Sequence, residues 1–149
     1  MSLSQTENEF EGVLNREENA SLIDYLQKEQ PSAHSDMVDL LVKSVDNLSG
    51  VTYFCPDTDN YAYYLAHTQG GVVFAAALGL SAMVFRLPNQ AISGALVKGG
   101  ELFKELGSNW VMFNPFWPER NDEHLLHDMQ HWCRLAYHHA LALENPAAE

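Results

Sequence analysis

Hydrophobic positions along the chain follow two different periods, and the change between them divides the molecule. From about Arg16 to Glu29, Leu22, Ile23 and Leu26 recur at helical spacing behind Asn15 as N-cap. Glu17 and Glu18 sit at the positive end of that helix dipole, and Pro31 ends the run. A second helix is predicted from Ser35, with Met37, Leu40, Leu41, Val45 and Leu48 on one stripe and Gly50 as the stop. The period then shortens to two. Val51 to Cys55 reads as a strand closed by Pro56 and the turn-prone run Asp57 to Asn60. Tyr61 to Thr68 alternates, Gly70 and Gly71 supply a hairpin turn, and Val72 to Leu78 returns as a strand apolar on both faces. A turn around Gly79 leads to Ala82 through Leu87, stopped by Pro88. A short helix follows from Asn89 to Val97, ended by Gly99 and Gly100, while Glu101 to Gly107 reads as at most one helical turn. Trp110 to Phe113 is a last strand before Pro115, and a long helix spans Asp122 to Leu143.

This order predicts one α+β domain over residues 1–149, with the first fourteen residues partly frayed. Its sheet is an antiparallel meander of four to five strands, with two helices before it and the long helix after it. Unbroken alternation sorts the strands into unlike faces. Tyr61, Tyr63, Leu65, Phe74, Leu78, Met83, Phe85 and Leu87 fall on one, and Ala62, Ala66, Ala75, Ala77, Ala82 and Val84 on the other. An Ala-rich face admits close approach by a helix, a second subunit or a ligand.

Charge sharpens the division. The chain carries a formal −12, of which residues 1–60 hold −9, and no Asp or Glu occurs from Asn60 to Gly100. An apolar sheet is thus set into an acidic helical shell. Such a charge repels phosphate backbones and anionic headgroups, so neither nucleic acid nor a membrane is expected as partner. The longest apolar run, Val72 to Leu80, falls well short of the ~20 residues of a spanning helix, and the first eighteen residues lack a signal-peptide pattern. Cytoplasmic placement is the expectation. Cys55 and Cys133 read as reduced thiols, and the sequons at Asn19 and Asn47, inside helices, as chance matches.

Chemistry-bearing residues are sparse. His124, His127, His131 and His138 fall within about 60° of one another on the last helix, opposite Leu125, Met129, Trp132, Cys133 and Ala136. An outward stripe lacks the buried surroundings that fix functional metal ligands, so no metal site and no cofactor are expected, with His124, His127 and His131 as weak surface candidates. Asp57 and Asp59 open like a calcium loop, but Ala62 and Thr68 stand where it needs Gly and Glu. No nucleophile elbow, P-loop, dinucleotide fingerprint or zincin motif is present, and no catalytic residue is assigned. Trp110, Phe113, Phe116 and Trp117, interrupted by prolines, are divided between core and a rigid contact surface. Arg86 is the charge of its strand; buried, it needs a carboxylate or offers a bidentate grip to an anion.

The Gly70–Gly71 hairpin, the strand Met83 to Leu87 with Pro88, the strand Trp110 to Phe113 and the pair Ala136–Tyr137 resemble the YjbR (MmcQ-like) family of small bacterial proteins, over roughly Val51 to Leu143. The resemblance implies the fold. Similar folds have been suggested to bind DNA, which the charge of this chain opposes, and the family's strand-end lysine is replaced, with Arg86 the nearest base. The expectation from the residues is a non-enzymatic binding or regulatory protein, self-associating or held to a protein partner through the sheet or the Trp110–Trp117 segment. The alternative is a small-molecule binder or small enzyme with a pocket on the Ala-rich face, lined by Tyr64, His67 and Arg86.

Overall fold

The computed structural model describes residues 17–29, 35–45, 48–54, 63–67, 71–78, 82–114 and 122–144. A 3-10 turn, Glu17–Asn19, leads into α1 (Ala20–Glu29), followed by α2 (Ser35–Ser44). The strands are β1 (Val51–Phe54), β2 (Tyr63–His67), β3 (Val73–Leu78), β4 (Ala82–Arg86), β5 (Glu101–Leu102) and β6 (Trp110–Phe113). Helix α3 (Asn89–Val97) joins β4 to β5, and α4 (Asp122–Glu144) is the last described element. Among the described residues all pairings are antiparallel, in the order β1-β2-β3-β4-β6-β5. The α+β fold with a long final helix is present, and the meander runs from β1 to β4, after which β6 lies between β4 and β5.

Three expectations change. Among the described residues the sheet has six strands, because Glu101 and Leu102, read as part of a helical turn, pair with Met112 and Val111. Helix α2 stops at Ser44, where its hydroxyl donates back to the Leu40 carbonyl at 2.7 Å and the next bonds, Val45 N–H to Val42 and Leu48 N–H to Val45, are three-residue turns. The third change concerns the faces.

β2 pairs with β3 as Tyr63↔Ala77, Tyr64↔Ala76 and Leu65↔Ala75, then as Ala66↔Val73. Phe74 is therefore an extra residue, a β-bulge that turns the following part of β3 over. Phe74, Ala75 and Ala77 all join one core with Met83, Phe85, Leu87, Val111 and Phe113, whereas Val73, Ala76 and Leu78 join the other with Val84 and Trp110. No separate Ala-rich face forms from these residues. Ala75 and Ala77 instead make room beneath α4, whose Met129, Trp132, Cys133, Ala136 and Ala140 are buried in the same core. Trp132 stacks on Phe113 at 5.6 Å, and the Tyr137 ring meets Phe74 edge-on at 5.7 Å while its hydroxyl donates to the Ser49 carbonyl.

Helix α3 ends in a Schellman motif. Gly99, at φ +100°, lets Gly100 N–H reach the Ala95 carbonyl and Gly99 N–H the Leu96 carbonyl. That reversal brings Gly100 against β6 and aims the chain into β5.

Candidate functional site

The second face of the sheet is closed by the 3-10 turn and α1, and a buried asparagine helps to fasten them. Asn19 is fully buried. Its amide donates to the Gly71 carbonyl and its oxygen accepts the Val73 N–H, both at 2.8 Å. Those backbone groups lie beyond Ala75↔Phe85, the last β3–β4 pair at this end, and beside the bulge. Asn19 therefore supplies ladder partners where the ladder gives out. An amide occupied at both ends is no glycosylation acceptor. One turn later Leu22 is buried among Val73, Ala76, Leu78, Val84, Leu106 and Trp110, and Tyr25 meets Phe103 edge-on at 5.4 Å.

Arg86 lies on this same side. Only 7% of its surface is exposed, its guanidinium stands 5.0 Å from the centre of the Trp110 ring, and Nη2 donates to the Glu18 carbonyl. Its Nε is buried and has no hydrogen-bond partner among the described residues. Burial pushes the guanidinium down to about 10, partly offset by the nearby Glu18, and it remains cationic at neutral pH. The buried arginine is thus held by a backbone carbonyl and an aromatic face, with the Glu18 carboxylate acting on it through its field. Its positive field also reaches His139, half-buried on α4, which is held below the ordinary imidazole range by burial first and by Arg86 second.

Of the other sequence candidates, Trp110 is the one seen against Arg86 among the described residues. Trp110 and Phe113 are buried core residues, while Phe116 and Trp117 lie outside the described residues. Tyr64 and His67 are positions of β2, paired with Phe54 and Val51; their side chains lie outside the described residues, as does that of His124. His127, His131 and His138 are exposed on α4, as the stripe predicts. Cys133 is fully buried and its thiol is pushed far up by desolvation, which leaves it inert; Cys55 lies outside the described residues.

One surface went unnoticed in the sequence. Leu96, Val97 and Leu102 are the exposed large apolar side chains among the described residues, at 39%, 84% and 42%. They bracket the Gly99–Gly100 reversal, at the end of α3 and on β5, which closes the described sheet at one side. The signal was present in Ala95-Leu96-Val97, an apolar run that outlasts the one inward position a short helix offers there. Of the three, only Ala95 is buried. No helix among the described residues is long and apolar enough to cross a membrane. Compared with known protein families, curated proteins and solved structures, the chain matches none.

Proposed function

We propose that this protein is a non-enzymatic binding module that acts through protein–protein contact, with the Leu96–Val97–Leu102 corner as its contact surface. The observation behind this reading is the exposure of those three side chains in a domain whose other large described apolar groups are inside or partly inside. The corner is built on a capped helix and a paired strand, so its shape is preorganised and little ordering entropy opposes association. Self-association and a basic protein partner are both compatible with it; the −9 of residues 1–60 favours a basic one, and the overall −12 opposes nucleic acid. A cytoplasmic location fits the same reading. Sedimentation velocity and affinity capture, run on the wild type and on Val97→Glu, test it. The expected result is a dimer or a captured protein that the substitution abolishes. A strict monomer whose captured proteins are identical with and without the substitution would overturn the reading.

A second reading, a binder of a small anionic molecule, is favoured by the buried Arg86 Nε that lacks a partner among the described residues. Thermal-shift screening against carboxylates and phosphates, with Arg86→Met as control, tests it. Stabilisation that Arg86→Met removes supports it, and no stabilisation by any of them eliminates it.

A further inference from the structure

We propose that His127 and His131, on the outward face of α4, form a labile two-imidazole chelate for a divalent transition-metal ion. Residues four apart on a helix lie about 40° apart and one turn along the axis, which places two side chains as neighbours. Both histidines are exposed. Neither has a hydrogen bond or ion pair among the described residues, so their ring nitrogens are uncommitted. The backbone between them is held firmly, because Met129 and Trp132 are buried and Gln130 reaches across to the Lys43 carbonyl of α2. The His131 ring also rests edge-on against Trp132 at 4.6 Å, which narrows its rotamers.

The donor set selects the ion. Imidazole nitrogens suit Zn2+, Ni2+ and Cu2+ and not the oxygen-seeking Ca2+ or Mg2+. No three His, Cys, Asp or Glu converge on one point among the described residues, so water completes the coordination. No buried groups orient the rings, and the site therefore exchanges its ion with solvent instead of retaining it. Seven residues separate His131 from His138, about 10 Å of helix rise, which leaves His138 outside the chelate. Next to it, His139 is half-buried and faces inward influences. Of the stripe, His127 and His131 make the pair, His138 stands outside it, and the side chain of His124 lies outside the described residues.

Titration calorimetry with zinc chloride, on untagged protein in a non-chelating buffer at pH 7.5, reads this directly. The expected result is one ion per chain, weakened about tenfold or more by His127→Ala and by His131→Ala, since either breaks the pair, and unchanged by His138→Ala. Alanine favours an exposed helix more than histidine does, so weakening does not come from lost helix, which circular dichroism checks. No saturation up to about 1 mM zinc, or equal weakening by all three substitutions, would overturn the proposal.

Discussion

Replacing Asn19 by alanine isolates the fastening of α1 to the sheet. The side chain is fully buried, and the substitution removes two hydrogen bonds of 2.8 Å at once. It leaves the Val73 N–H and the Gly71 carbonyl without the amide they share. An unsatisfied buried backbone group costs about 1–3 kcal/mol, and the Gly71 carbonyl is only partly buried, so the two together amount to roughly 2–4 kcal/mol. Helix propensity works the other way by only about 0.5 kcal/mol, because alanine is the better helix former. The net loss is therefore about 2–3 kcal/mol, or roughly 5–10 °C in Tm for a domain of this length. Urea unfolding followed by tryptophan fluorescence measures it, since Trp110 and Trp132 are both buried. Hydrogen exchange at the Val73 amide gives the local readout and should accelerate more than exchange in the centre of α4. Asn19→Asp separates donor from acceptor. It can still accept from Val73 but sets a carboxylate against the Gly71 carbonyl. Burial raises the folded pKa of that introduced group above its unfolded value, so the penalty is full at neutral pH and is relieved as pH falls through the raised value. A stability loss below about 0.5 kcal/mol, within the range of an ordinary surface change, would refute the reasoning, as would unaltered Val73 exchange.

Three further outcomes follow from the same geometry. A Cβ at Gly100 would meet Val111 Cγ1 at 2.7 Å and the Ala95 carbonyl and Phe113 Cζ at 3.0 Å, so Gly100→Ala should cost about 1–3 kcal/mol of overpacking in urea unfolding, where Gly94→Ala should not. Because His139 titrates lower in the folded state than in the unfolded one, its contribution is intact above the ordinary imidazole range and is lost as pH falls through it. His139→Gln should therefore shrink the difference in unfolding free energy between pH 7.5 and pH 5.5. Cys133, buried with its thiol pushed up, should resist a thiol-reactive disulfide probe in native Cys55→Ser protein and react at once in urea.

How much of this was legible in the chain depends on the range over which each feature is decided. Helix α3 and strand β6 match their sequence bounds, because Pro88 with Gly99–Gly100 and Pro115 punctuate them locally. The long α4 followed from apolar spacing alone. The faces did not, because alternation within a strand leaves the register across each turn open. Ala75 pairs with both Leu65 and Phe85, which puts Ala75 and Ala77 on the face of the large residues, and the bulge at Phe74 carries no mark in the chain. Asn19 was opaque for a different reason. Its partners lie more than fifty residues away, and a buried asparagine in an acidic helical segment looks like any solvated one. Arg86 was recognisable as an odd charge in an apolar strand, but its partner is a main-chain carbonyl, which no residue pattern can display. The contact corner was readable in hindsight, since Leu96 and Val97 exceed what one short helix can bury.

A photo-crosslinking residue placed at position 97 tests the contact surface most directly, because Val97 is 84% exposed and its replacement leaves the core intact. Irradiation in cells should give a discrete adduct, identified by mass spectrometry as a second copy or one partner protein. That adduct should disappear when Leu102→Glu is added and should not form from position 43, which is exposed on α2. Only uncrosslinked monomer at position 97, or the same products from position 43, would contradict the assignment of this corner as the surface through which the protein acts.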